Sequence, residues 1–150
     1  MNVTSNSIEI AASADVIYTL AAATPRWPLI LPHYRYVRVR EEAGSTLTLE
    51  MAAWRHVFPL RWVALQTSDP SVPHIAFHHI AGPTRGMDVE WRFEPIVGGT
   101  RVTIEHRLDF QFPFAAAWLG EHVVGAYFIH GVAAQTLRRM KVLAESIARL

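Results

Sequence analysis

Along Thr100 to Phe112, written TRVTIEHRLDFQF, apolar and polar side chains alternate with a period of two, the mark of a strand with one buried face. Val102, Ile104, Leu108, Phe110 and Phe112 share the apolar parity, and so does His106, an imidazole in the middle of a greasy face. The same alternation recurs upstream. Met87, Val89, Trp91 and Phe93 interleave with Asp88, Glu90, Arg92 and Glu94, and Val97-Gly98-Gly99-Thr100 turns that strand into the next. His74 to Ile80 reads as a strand between the turn Asp69-Pro70-Ser71-Val72-Pro73 and the break Ala81-Gly82-Pro83. His56 to Ser68 is a further strand, bent near Pro59, which has no N–H to give to a ladder. Tyr36 to Glu42 and Thr46 to Met51 flank the turn signal Glu42-Ala43-Gly44-Ser45, a hairpin with Leu47, Leu49 and Met51 on one side.

The two ends of the chain differ from this middle. Ser7 to Ala12 makes a short first strand with Ile8 and Ile10 on one face, and Ser13 then stands where a helix N-cap belongs, with Asp15 suited to the positive end of a helix over Ala14 to Ala23. Pro25, Pro28 and Pro32 restrict the next segment to a short helical piece. After Pro113 the period changes to about 3.6, which predicts a helix from roughly Ala116 to Arg149, on the order of 50 Å long. Ile129, Ala133, Thr136, Met140, Leu143 and Ile147 form its apolar stripe, with Arg138, Arg139, Glu145 and Arg149 largely opposite. Gly120, Gly125 and Gly131 weaken its first half by about 1 kcal/mol each; they either let the helix bend around a sheet or leave volume beside it. One strand, two short helices, about six consecutive antiparallel strands and one long helix is an α+β plan. Only the last helix is long enough to cover the apolar face of such a sheet.

With 150 residues, 51% of them hydrophobic, the chain can bury one substantial core, so residues 1–150 are expected to form a single domain. The absence of cysteine removes disulfide scaffolds, thiolate zinc sites and cysteine nucleophiles. A net charge of +1 from scattered arginines gives no support to nucleic-acid binding. Apolar runs fall short of the roughly 18 to 20 residues of a membrane span, and MNVTSNSIEI does not have the form of a signal or transit peptide, so a cytoplasmic location is the default expectation. Eight histidines raise the question of a metal, but strand geometry sends the adjacent His78 and His79 to opposite faces, and no His-x-His or Glu-x-x-His pair accompanies them. No metal is expected. No cofactor is expected either, since Gly-x-Ser-x-Gly, phosphate-loop and dinucleotide motifs are missing.

Parity also groups His56, Phe58, Leu60, Trp62, Ala64 and Gln66 on one face, provided no bulge intervenes. On the next strand His78 belongs with Ala76 and Ile80, and His79 with Ile75 and Phe77; which set is inward is left open. Across essentially the whole chain, Arg26-Trp27-Pro28…Tyr34, Trp62…Asp69-Pro70, Gly82-Pro83…Met87…Trp91 and Gly99-Thr100…Val102 resemble, in their order and spacing, the START-like helix-grip superfamily. Within it they are most similar to the polyketide cyclase/dehydrase group, which includes the aromatase/cyclases. Gly82-Pro83…Trp91-Arg92-Phe93 also resembles a neighbouring branch of coenzyme Q-binding and ribosome-association-inhibitor-like proteins.

That resemblance implies a sheet curled around the long helix with an elongated cavity between them, of about 300 Å³ or more if it serves as a ligand pocket. His106 would then face the cavity. In a dry core without a partner it would cost about 1 to 3 kcal/mol, and the plain alternative is a hydrogen bond to a neighbour such as Tyr127 or Gln135. The implied activity is aldol-type cyclisation and dehydration of a polyketide-like intermediate. His106 would shuttle the proton, Tyr34 and His78 would act with it, and Trp27, Trp62, Gln66, Trp91, Tyr127 and His130 would contact the ligand. Non-catalytic carriage of a lipid, quinone or other hydrophobe is the alternative. The implied partner is a hydrophobic small molecule, presented in the enzyme reading by an acyl carrier protein; a homodimer is left open. One departure stands out: Gln66 lies where the aromatase/cyclases carry a pocket arginine, and His78 lies near a second one.

Overall fold

The alternating segments pair with their neighbours in chain order, and the N-terminal strand adds itself beside the last one. In the computed structural model, which describes residues 2–108 and 128–150, β1 (Asn2–Ile10) leads into α1 (Ala14–Ala22), a 3₁₀ turn (Thr24–Arg26) and α2 (Trp27–Ile30). Six strands come next, β2 (Tyr34–Ala43), β3 (Thr46–Arg55), β4 (Phe58–Asp69), β5 (His74–Ala81), β6 (Asp88–Ile96) and β7 (Gly99–Leu108), and then α3 (His130–Ala148). The seven strands form one antiparallel sheet in the order β1-β7-β6-β5-β4-β3-β2. The expected strand residues 109–112, the first part of the predicted long helix with Gly120 and Gly125, and Tyr127 lie outside the described residues. No helix among the described residues is long and apolar enough to cross a membrane.

Local chemistry sets the ends of these elements. Ser13 caps α1 by accepting from the Val16 N–H at 3.4 Å. The Trp27 indole N–H donates to the Ala21 carbonyl at 3.2 Å, which folds α2 back on α1 and buries the ring. β3 runs to Arg55, four residues beyond the expected Met51, and the chain reverses at His56-Val57, where the alternation reads as strand. His56 takes the left-handed conformation (φ 57°), as a two-residue hairpin turn requires, and side-chain parity carries no signal for that. The β2–β3 turn falls at the expected Gly44 (φ 61°).

The inward stripe of α3 is Val132, Ala133, Thr136, Leu137, Met140 and Ala144. It departs from the expected stripe at its end: Ala144 is fully buried, whereas Leu143 is half-buried and Ile147 exposed. Lys141 Nζ donates to the Glu9 carbonyl at 2.8 Å and the Glu145 carboxylate accepts from the Ala11 N–H at 2.9 Å, so the C-terminal half of α3 is clamped to the β1–α1 corner. The side chain missing at Gly131 is replaced by Arg55, whose stem and guanidinium occupy the place of a Cβ.

Close approach of backbone to backbone explains a second glycine. A Cβ on Gly99 would overlap the Ile10 carbonyl, which is neighbouring main chain and cannot swing away. Gly99→Ala is expected to destabilise the protein by about 1 to 3 kcal/mol, measured by urea unfolding; a variant within about 0.5 kcal/mol of the parent would show that the β1–β7 end tolerates spreading.

Candidate functional site

The clamp on one half of α3 leaves its other half, His130 to Thr136 with the preceding Ile129, over the concave face of the sheet, and the space between them is a hollow. Register decides which side chains look into it. Phe77, Val89 and His106 stand side by side on β5, β6 and β7, with Trp91 and Ile104 paired one step along. Trp62 from β4, Trp27 from α2 and Tyr34 from the start of β2 complete the wall, with Ile129, Val132, Ala133 and Thr136 from the helix. No Lys, Arg, Asp or Glu is among the described residues that line it.

The hollow measures about 70 Å³, well short of the expected pocket. The reason is aromatic packing. The Trp27 ring lies 5.0 Å from Tyr34, 5.8 Å from Trp91 and 6.0 Å from Phe77, and Tyr34 lies 6.0 Å from Trp62. A multi-ring ligand therefore enters only by turning some of these rings aside.

His106 keeps the apolar parity of β7 and lines the hollow. Burial, reinforced by the nearby charge of His130, lowers its pKa from 6.5 to about 4, so the ring is neutral at pH 7. Its Nδ1 is buried with no hydrogen-bond partner among the described residues, and in particular none from Gln135, which lies in a separate outer groove. An unpaired buried N–H is costlier to keep than an unpaired lone pair. The neutral ring therefore carries its proton on Nε2 and offers it to the hollow.

In the same wall, the Tyr34 hydroxyl reaches Thr136 on α3, and burial pushes the phenol pKa upward against the opposing effect of that bond. Thr136 Oγ1 donates to the Val132 carbonyl at 2.8 Å and lies 2.8 Å from His33 Nε2. His33, 5% exposed, is held neutral by burial at a pKa of about 4. On β5 the inward histidine is His79. Its Nδ1 is 2.7 Å from Thr84 Oγ1, and its ring stacks on Trp62 at 5.7 Å with 7° between planes. Burial, with the neighbouring His106 and His78 adding to it, lowers its pKa to about 3.

Several expected site residues are placed elsewhere. His78 is on the outer face, exposed, with Nδ1 2.6 Å from the Asp88 carboxylate. The signal that decides the parity was in the strand itself: Ile75 and Phe77, which accompany His79, carry more apolar bulk than Ala76 and Ile80, which accompany His78. Gln66 is inward and 2% exposed but does not line the hollow. Its amide oxygen accepts from Thr24 Oγ1, and its Nε2 donates to the Ala22 carbonyl at 3.1 Å and to Ser68 Oγ at 3.0 Å. A side chain so committed fastens the end of α1 to β4. His130 is exposed at the start of α3 and reaches the site only through its charge; Tyr127 lies outside the described residues. Trp27, Tyr34, Trp62, Trp91 and His106 line the hollow. Sequence reasoning missed Thr84 and Thr136, single hydroxyls with no pattern around them, and His33. Among the described residues no three His, Asp or Glu side chains converge as a metal site would need.

Residues 10–123 match the family model described as polyketide cyclase / dehydrase and lipid transport. The granaticin polyketide synthase bifunctional cyclase/dehydratase of Streptomyces violaceoruber is 27% identical over 105 residues, covering 68% of this chain and 32% of that protein, so the chain corresponds to about a third of it. Among solved structures, the Zhui aromatase/cyclase of Streptomyces sp. R1128 superimposes with a TM-score of 0.84 at 17% identity, over 96% of this chain and 93% of that one. A START superfamily protein from Mycobacterium smegmatis gives 0.66 at 14% identity, over 98% and 97%. At those identities the likeness shows the fold.

Proposed function

Because the chain belongs to the polyketide cyclase/dehydrase and lipid transport family, we propose that it takes an uncharged polyketone-like molecule into the hollow under α3 and promotes aldol ring closure followed by loss of water. The observation that carries this reading is His106: a neutral imidazole in a largely apolar wall without charged side chains among the described residues, its Nδ1 sealed off and its Nε2 left for a ligand. Its role differs from that of the expected proton shuttle. A ring whose pKa is held near 4 is a poor base at pH 7 but a good fixed donor.

In the proposed step a methylene between two ketones gives a proton to hydroxide from the bulk solvent as the chain enters and becomes an enolate. Its carbon attacks a second carbonyl of the same chain, the alkoxide so formed is protonated, and the new hydroxyl leaves with a neighbouring hydrogen as water. Charge collects on oxygen throughout. The Nε2–H of His106 is placed to stabilise that oxygen in a medium where water does not compete, while the aromatic wall folds the chain. Tyr34, in the same wall, is a second polar contact. In this reading the substrate is presented by an acyl carrier protein in the cytoplasm, and ultracentrifugation decides between monomer and homodimer.

A carrier reading keeps some weight because no charged side chain is among the described residues of the wall and the amide of Gln66, where relatives carry arginine, is sealed away. Native mass spectrometry of the freshly purified protein, alongside incubation with a synthetic β-polyketone thioester, separates the two. Formation of a cyclised product that has lost one water supports the enzyme. A co-purifying hydrophobe with no conversion above the uncatalysed rate overturns catalysis and leaves the carrier.

A further inference from the structure

The second imidazole of the wall, His79, has no part in the proposed ring closure, yet it is the more firmly built of the two. Thr84 is 1% exposed, and its hydroxyl has one side-chain partner among the described residues, His79 Nδ1 at 2.7 Å. A buried hydroxyl with one partner satisfies its proton by donating it; the reverse arrangement would leave that proton unpaired beside an apolar wall. Thr84 therefore donates to Nδ1, and the proton of the neutral ring sits on Nε2. Stacking on Trp62 at 7° fixes the plane of the ring. Nε2 is neither hydrogen-bonded nor sealed among the described residues, and the ring lines the hollow. His106 reaches the same tautomer by a different route, through its orphaned Nδ1.

We propose that His79, oriented by Thr84, is a second uncharged N–H donor to the ligand, so that two neutral imidazoles serve as the oxygen-binding groups of a cavity that prefers carbonyl compounds to both hydrocarbons and carboxylates. This deepens the proposed function of the cavity and rests on it. The discrimination against carboxylates stems from charge. No cation is among the described lining residues, and residues 109–127 contain no Lys or Arg. An anion entering would lose its hydration with only neutral dipoles in exchange. Burial that holds both rings in the neutral form supports the same assignment.

Three probes of one skeleton test it: 1-indanone, indane and indane-2-carboxylate, with binding to the intact protein measured by calorimetry or tryptophan fluorescence at pH 7.5. The expected order is 1-indanone at least threefold tighter than indane, with the carboxylate weakest. His79→Phe keeps a ring against Trp62 and removes both nitrogens; Thr84→Val removes only the group that orients them. Each is expected to cut the preference for indanone over indane by at least twofold while leaving indane affinity within twofold. A wild-type protein that binds indanone and indane equally, or the carboxylate tightest, overturns the proposal. So does a wild-type ¹⁵N spectrum showing His79 protonated at Nδ1, a result that does not depend on any variant folding. Binding of neither indanone nor indane would instead sink the cavity reading, and this proposal with it.

Discussion

His106→Ala is expected to slow ring closure of a β-polyketone by about 10² to 10³-fold, the usual consequence of removing one donor from an oxyanion site, while substrate affinity falls by less than about tenfold. The split reflects when the bond is strong. A ketone oxygen in the bound substrate is a modest acceptor, whereas the enolate and alkoxide oxygens carry nearly a full charge, so the donor contributes most on the way to the transition state. His106→Gln, which keeps an N–H in roughly the same place, is expected to recover part of the rate. Single-turnover measurements with both variants, on protein shown to be folded by circular dichroism, check the order Ala below Gln below wild type. Conversion by His106→Ala at the wild-type rate would remove this residue from the mechanism.

How far the sequence reaches toward that site depends on which interactions leave a pattern. The strands are legible because one buried face forces alternation, and the inward turn of His106 is legible for the same reason: its neighbours Val102, Ile104 and Leu108 fix the parity. The order of elements, α1 with its Ser13 cap, and the helix over a sheet are likewise written in periodicity. Positions fixed by backbone geometry are not. The reversal at His56-Val57 rests on one left-handed residue, and side-chain type is nearly silent about it.

Polar pairings across the fold are equally invisible in one dimension. Thr136 meets His33 from 103 residues away, and Gln66 meets Thr24 from 42 away. The sequence offers Gln66 as a ligand contact because the face is right; in the structure its amide is engaged by three partners, from α1, the adjoining 3₁₀ turn and β4 itself. Face and function separate at that point. An inward polar side chain becomes a binding group only if the fold leaves one of its atoms unpaired, and that accounting selects His106 and His79 over Gln66.

The same accounting predicts a steep loss of stability in mild acid. In the unfolded chain histidine titrates near 6.5, whereas burial holds His33 and His106 at about 4 and His79 at about 3 in the folded protein. Below pH 6.5 the unfolded state therefore binds more protons than the native state. The slope of unfolding free energy with pH is positive, so stability is full above that value and drains away as pH falls toward 4. Each unit of separation is worth about 1.4 kcal/mol per group, so over the two pH units from 6.5 to 4.5 these three rings together cost on the order of 8 kcal/mol, comparable to the whole stability of many domains. Carboxylates held low in the native state, Glu50 by Tyr36 and Glu105 by Arg107, act in the same direction but only once the pH nears their own unfolded range. The interval from 6.5 to 4.5 belongs mainly to the histidines. Urea unfolding at pH 7.5, 6.5, 5.5 and 4.5 is expected to show the midpoint falling through that interval, with a shallower fall in His79→Phe. A midpoint flat down to pH 4.5 would mean that these rings take up protons without unfolding the protein. Water would then reach them freely, and the dry, uncharged wall on which both proposed donors depend would not exist.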